Sequence, residues 1–282
     1  MTAIVVNGLP APGAAALLER ARRENFPVAL ALLSRAQRTH LRALYGFARL
    51  ADDVGDEAEG DRLALLDELD AELGRVFAGG EPLHPVLRSL APTVRALRLP
   101  EPPFRRLIEA NRRDQRVSRY ATWAALREYC ALSANPVGRL VLHVFGAATP
   151  ERCLASDAIC TALQLVEHCQ DVAEDLARGR RYLPDEDLVR FGCEERDLRA
   201  PAASPSVRAL LRFEVVRARA LLDSGAPLVR TLDGRARLAV AGFIAGGRAA
   251  ADAIERGGFD VLSGAPRPRR RDLLRRFVAA LR

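Results

Sequence analysis

The sequence predicts an all-α protein, folded as a single domain over residues 1–282. Three observations predict it. Apolar residues recur at spacings of three and four along nearly the whole chain, the repeat of helices with one buried face. Pro, Gly and short polar clusters punctuate that repeat, and no segment alternates as a half-buried strand would. Hydrophobic residues make up 49% of the chain and charged residues 28%, enough for a sizeable core under a charged surface.

The elements follow in order. Residues 1–13 are a Pro- and Gly-containing lead-in. Ala14–Arg23 reads as a short helix, broken at Glu24-Asn25-Phe26, and Pro27 opens the next. Ala36–Glu57 is strongly helical, with Leu41, Leu44, Phe47, Ala48 and Ala51 on its apolar face. A second stripe on it carries Tyr45, Arg49, Asp52 or Asp53, and Asp56. Asp61–Phe77 places Leu63, Leu66, Leu69 and Leu73 on one side, and Gly79-Gly80-Glu81-Pro82 ends it. Pro85–Leu97 and Pro103–Arg113 are further helices. Thr122–Cys130 leads into Ser133-Ala134-Asn135-Pro136-Val137-Gly138, where Pro136 kinks or restarts a helix. Asp157–Pro184 reads as one helix, and Pro201–Pro205 as a loop. Val207–Ser224, Pro227–Thr231, Arg235–Arg256 and Asp272–Arg282 complete the set.

The net charge is +7, and every basic residue is Arg. An all-Arg, Ala-rich chain is most simply a codon bias, so basicity points to anionic partners in general. Aromatics are only 5%, and no nucleic-acid motif accompanies the charge, which argues against nucleic acid. The five cysteines form no Cys-x-x-Cys pair, and the first residues lack a basic secretory lead; both suggest a cytoplasmic protein with reduced thiols. The longest apolar run, Leu238–Gly247, falls far short of the ~20 residues of a membrane span. Residues 266–282 form a basic amphipathic segment. It fits peripheral contact with anionic lipid at the inner membrane face, or equally a solvated helix end.

The chemistry lies in two Asp-x-x-x-Asp pairs, Asp52 with Asp56 and Asp171 with Asp175. Side chains four apart on a helix are neighbours. Gln164 and Glu167 continue the second stripe towards its start. One such pair on an exposed helix is usually a solvated face. Two pairs in largely apolar helices, brought together, form a negative site that needs a cation. Mg²⁺ suits it: it takes oxygen ligands and is typically held by one or two carboxylates plus substrate phosphates. A diphosphate ester, with Arg49 and further arginines on its oxygens, balances the charge, and its departure generates a carbocation. His40, His84 and His143 have no ligand-spaced partner and read as surface or satisfied core histidines; Cys160 and Cys169 read as core filler. His168, beside Glu167, points about 100° away from it.

Tyr45-x-x-x-Arg49-x-x-Asp52-Asp53-x-x-Asp56, and Gln164-x-x-Glu167-x-x-Gln170-Asp171-x-x-x-Asp175 followed by Gly179-Arg180-Arg181-Tyr182-Leu183-Pro184, resemble the two Asp-rich motifs of the squalene/phytoene synthase family. Glu24–Ala29, Tyr129-Cys130 with Ser133–Gly138, Ser156–Leu165 and Gly258–Leu262 resemble its bacterial hydroxysqualene-forming branch. The resemblance spans roughly residues 24–265. It implies an isoprenoid-synthase helical bundle with a central cavity, and Mg²⁺ held by Asp52, Asp56, Asp171 and Asp175. It further implies that Tyr45, Arg49, Gln164, Glu167, Arg181 and Tyr182 serve the substrate and that Tyr129 lies near the developing cation. The implied reaction turns presqualene diphosphate and water into hydroxysqualene. The family alternative joins two farnesyl or geranylgeranyl diphosphates head to head. Glu167 stands where the family carries Asn. That departure admits a reading from another class, a non-catalytic lipid-binding or assembly partner.

Overall fold

The computed structural model describes residues 5–6, 9–10 and 33–282. The expected helix Ala14–Arg23 and the Glu24–Ala29 stretch lie outside the described residues. The architecture is all-α, with one correction: β1 (Val5–Val6) and β2 (Leu9–Pro10) form a two-residue antiparallel pair. The contacts gather into two compact units. One holds the described residues up to Arg116 together with Pro136–Thr149; the other holds Val117–Asn135 and Pro150–Arg282.

In the first unit, α1 (Arg35–Asp56) starts in a reciprocal cap: Gln37 N donates to Ser34 Oγ at 3.2 Å and Ser34 N to Gln37 Oε1 at 3.1 Å. Leu41, Leu44, Phe47, Leu50, Ala51 and Val54 are buried at helical spacing. Asp61 caps α2 (Arg62–Phe77) through Leu63 N and Ala64 N. Proline opens both α3 (Pro85–Leu97) and α4 (Pro102–Asp114), where a missing N–H costs nothing. His84 caps α3 and reaches Pro10 O at 3.2 Å, the satisfied core histidine that its isolation suggested. Phe104 of α4 meets Phe47 and Phe77 edge-on at 5.2 and 5.7 Å, tying α1 and α2 together.

In the second unit, α5 (Trp123–Ser133) is followed, after α6 (Asn135–Val144) begins at its boundary, by α7 (Pro150–Gln170). α7 packs on α10 (Pro205–Gly225) and α11 (Gly234–Arg256). Two glycines permit the approach. A Cβ on Gly225 would lie 2.5 Å from Ile159 Cγ1 and 2.7 Å from Ala155 O, and one on Gly247 would lie 2.6 Å from Leu163 Cδ2. Beyond α7 come α8 (Val172–Ala177), α9 (Asp185–Arg190), a 3₁₀ turn at Glu195–Arg199, a second at Ala226–Thr231, and α12 (Arg270–Leu281).

The expected single helix from Asp157 to Pro184 is corrected. It starts earlier, at Pro150, and breaks at Asp171, whose backbone leaves helical geometry at φ −101°, ψ 17°. It stops for good at Gly179, which takes φ +78°, a conformation that glycine adopts without strain. Downstream the chain is extended rather than helical. Arg181 N donates to Ser118 O, Asp185 N to Tyr120 O and Glu186 N to Ala121 O, at 2.8, 2.9 and 3.0 Å. This lateral pairing lays residues 181–186 along 118–121.

Candidate active site

Asp52, Asp53 and Asp56 stand in the last turn of α1, with no basic residue in that turn. A helix C-terminus is the negative end of the dipole, so carboxylates there are disfavoured by roughly 0.3–1 kcal/mol each. Two of the three take different partners. Asp53 is buried and paired with Arg49 at 2.6 Å, and Arg49 also reaches Glu57 at 3.0 Å. Asp52 accepts from Asn111 Nδ2 of α4 at 3.3 Å. Asn111 lies over Gly55, where a Cβ would stand 2.2 Å from Asn111 Oδ1, so only glycine lets α4 brace this turn. Gln115 Nε2 adds a bond to Gly55 O at 2.9 Å. Crowding by protein pushes the Asp52 carboxyl up to about 7, helped by Asp56 and Asp53 and opposed by Asn111 and Arg49. Its side chain still reaches solvent, so hydration offsets part of that push. Tyr45, one turn before Arg49, is half-buried.

In the second unit, Asp171 occupies the residue between α7 and α8. An Asp there ordinarily caps the helix that follows. Here its side chain makes no capping bond, which leaves the carboxylate for other duty. Asp171 N donates to Glu167 O at 2.9 Å, and Asp175 N to Asp171 O at 2.8 Å, so the register of the motif survives the break. Burial pushes Asp175 up to about 7, with Asp171 and Glu174 adding to it and Arg178 and Arg180 opposing. Asp171 is shifted upward as well, by burial and then Glu174. Glu167 is exposed.

His168 is the residue whose role the sequence understates. It is buried, its ring stacks on Tyr182 at 3.9 Å and 10°, and its Nδ1 lies 4.0 Å from Asp175 Oδ2. Its Nε2 lies 3.4 Å from Gln164 Nε2. Burial pushes the imidazole down to about 3, so it is neutral. Tyr129 lies 5.4 Å from Tyr182 and 6.4 Å from His168, and Tyr120 completes the cluster at 5.3 Å from Tyr129. The extended stretch alongside residues 118–121 is what carries Tyr182 here. Arg181, next to it, is buried and paired with Asp185, and its Nη1 stands 3.7 Å from Glu195. Its Nε has no hydrogen-bond partner among the described residues.

Within the second unit Gln164, Asp175, Tyr129 and Tyr182 lie around His168, whereas Arg181 turns to Asp185 and Glu195 and Glu167 is exposed; within the first, Tyr45, Arg49, Asp52 and Asp56 lie along α1. Sequence reading missed Asn111 and Tyr120. An asparagine on the apolar face of a helix, one turn after Leu107, is the signal that could have marked the first. Among the described residues, no group of three or more His, Cys, Asp or Glu is gathered as a metal cage. The donor chemistry fits an ion held more sparsely. Asp52, Asp171 and Asp175, all shifted upward, gain from a cation, and Mg²⁺ needs only one or two carboxylates beside water and phosphate oxygens.

Comparison with known proteins gives the arrangement its place. The family pattern described as squalene/phytoene synthase matches residues 20–275. The chain is 38% identical over 212 residues to the hydroxysqualene synthase of Rhodopseudomonas palustris, covering 73% of this chain and 70% of that protein. It is 32% identical over 252 residues to the 15-cis-phytoene synthase of Synechococcus elongatus, covering 84% and 82%. The structure of squalene synthase HpnC from Alicyclobacillus acidocaldarius superposes with a TM-score of 0.79 at 46% identity, covering 87% of this chain and 95% of that one. The helical fold, the two Asp-rich motifs in their order and these likenesses over most of the length agree: the chain belongs to the squalene/phytoene synthase family, enzymes that act on prenyl diphosphates.

Proposed function

We propose that this enzyme is a Mg²⁺-dependent hydroxysqualene synthase of squalene and hopanoid biosynthesis. It converts presqualene diphosphate and water into hydroxysqualene and diphosphate. The carbon–oxygen bond to the diphosphate breaks, water adds at carbon, and its proton is released. Asp52 with Asp56, and Asp171 with Asp175, are assigned to Mg²⁺, which when bound neutralises the charge of the departing diphosphate. Arg49 and Arg181, with Tyr45 and Gln164, are assigned to the substrate's polar end.

The observation that carries the reading is the cluster of Tyr120, Tyr129, Tyr182 and His168 beside Asp175. Aromatic faces are negative and attract a cation, by about 0.5–2 kcal/mol per well-placed ring. The neutral His168 brings no positive charge to compete with it. Such a lining suits a carbocation held next to the carboxylates assigned to the metal that would receive its leaving group. The hydroxysqualene synthases among the relatives favour water as the trap.

A second reading, head-to-head joining of two prenyl diphosphates, is favoured by the longer alignment with the cyanobacterial phytoene synthase. Incubation with Mg²⁺ and no reductant separates the two. Presqualene diphosphate is expected to yield hydroxysqualene, and farnesyl or geranylgeranyl diphosphate alone to yield neither presqualene diphosphate nor phytoene. Consumption of farnesyl diphosphate with presqualene diphosphate left untouched would overturn the first reading.

A further inference from the structure

We propose that the outward face of α12 is a docking surface for an anionic lipid bilayer. The inference is independent of which prenyl diphosphate reaction the enzyme runs.

α12 is held to its unit by ion pairs as well as by the half-buried Leu273, Phe277 and Leu281. Arg276 donates from Nε and Nη2 to the two oxygens of Asp252 on α11, at 2.7 Å each. Asp252 also receives Arg219 of α10 at 3.0 Å. Arg256 stands 3.1 Å from Asp272, and Arg237 Nη2 donates to Leu281 O at 2.7 Å. Both carboxylates are buried. Two aliphatic side chains lie on the other side: Leu274 is 66% exposed and Val278 45% exposed, one helical turn apart, while Leu273 and Leu281 are half-buried. An ordinary amphipathic helix turns its aliphatic residues to the core, and these two are turned to solvent.

Along residues 266–282 the exposed side-chain charge has one sign. Arg267, Arg269, Arg270 and Arg271, in the approach to α12 and its first turn, are all exposed. Asp272 is the only acidic residue between positions 266 and 282, and it is turned inward against Arg256. A single exposed leucine needs no account. Two aliphatics on one stripe, next to four arginines with no exposed acid, match a helix lying in the headgroup region. There the aliphatics enter the acyl boundary and the guanidiniums take lipid phosphates. Nucleic acid would satisfy the arginines but offers Leu274 and Val278 no apolar medium. The ion pairs to Asp252 and Asp272 present the surface already ordered, so docking spends little conformational entropy.

The test is co-sedimentation of the full chain with vesicles at low salt. One set is phosphatidylcholine alone, and the other carries about one-third phosphatidylglycerol, enough to give a negative surface potential. At least tenfold preference for the anionic vesicles is expected. Each surface arginine contributes roughly fivefold, so Arg267→Gln/Arg270→Gln/Arg271→Gln is expected to weaken binding about a hundredfold. Leu274→Asn is expected to weaken the binding that survives high salt, where charge is screened. All these side chains are exposed, so the variants keep the wild-type melting temperature. Equal binding to both vesicle types, no binding, unchanged binding by the triple variant, or a preference for duplex DNA over the anionic vesicles would each overturn the proposal.

Discussion

Asp171→Asn and Asp175→Asn are expected to lower Mg²⁺-dependent release of diphosphate by about a thousandfold or more, without unfolding the protein. The expected loss follows from removing a ligand whose charge is used as the leaving group departs. The expected survival of the fold follows from the raised pKa values. Asp175 moves from its ordinary 3.8 to about 7 because burial and neighbouring carboxylates disfavour its charge. A carboxyl raised in this way favours folding while protonated, and that contribution is lost as pH rises from the unfolded value through the folded one. Near pH 8, without metal, Asp175 is ionised and costs stability, so Asp175→Asn is expected to melt at the same temperature as the wild type or higher. At about pH 4 the two are expected to converge. Mg²⁺ reverses the balance, because it binds only the ionised pair. It is expected to raise the wild-type melting temperature near pH 8, much less at about pH 5, and by a smaller amount in Asp171→Asn/Asp175→Asn, which keeps Asp52 and Asp56. Equal stabilisation of that double variant by Mg²⁺ would remove this pair from the metal site.

Arg217→Met is expected to destabilise the protein by about 3–5 kcal/mol near pH 8, the largest effect on stability of any single side chain considered. Arg217 lies between two carboxylates that water barely reaches. Its Nη1 stands 2.8 Å from Asp187 Oδ2 and 2.8 Å from Glu214 Oε2, and those side chains are 4% and 0% exposed. Its guanidinium is covered by Trp123 and Phe213, at 4.7 and 4.6 Å from their ring centres. Burial pushes Glu214 up to about 8, with Arg217 opposing and Asp187 adding. Methionine fills the aliphatic volume but leaves both carboxylates without their cation. Glu214 would answer by taking up a proton, so the loss is expected to shrink towards about pH 5. Denaturant unfolding at the two pH values checks this; a loss below about 1 kcal/mol at both would show that the pair needs no cation. The effect bears on the site because Asp187 belongs to α9, which follows directly on Tyr182.

The helices were legible wherever the apolar repeat ran between a clear start and a clear stop. The starts expected at Ala36, Asp61, Pro85, Pro103 and Val207 lie within two residues of those in the structure, where Ser34, Asp61 and the prolines at 85, 102 and 205 open the helices. The break at Asp171 was not legible, because neither Gly nor Pro stands there and the periodicity continues across it. Beyond the stop at Gly179 the chain is drawn alongside residues 118–121, far away in sequence. The same pairing explains why Tyr182 joins Tyr120 and Tyr129, a meeting that no local spacing encodes. β1 and β2, two residues each, are too short for any alternation to register. The carboxylates were legible because four acids in apolar helices are costly unless neutralised. Asn111 was not, since an amide on a helix face means little until Gly55 is seen to admit it. Arg49 shows the limit of reading stripes: its spacing pointed to substrate, and the structure adds that it also holds Asp53 and Glu57.

The central claim is that presqualene diphosphate loses its diphosphate at carbon and that water takes its place. The most direct measurement is the reaction with Mg²⁺ in water labelled with heavy oxygen, followed by mass analysis of both products. The label is expected in the hydroxyl group of hydroxysqualene and absent from the released diphosphate. Label in the diphosphate with none in an alcohol, or no alcohol formed at all, would contradict it.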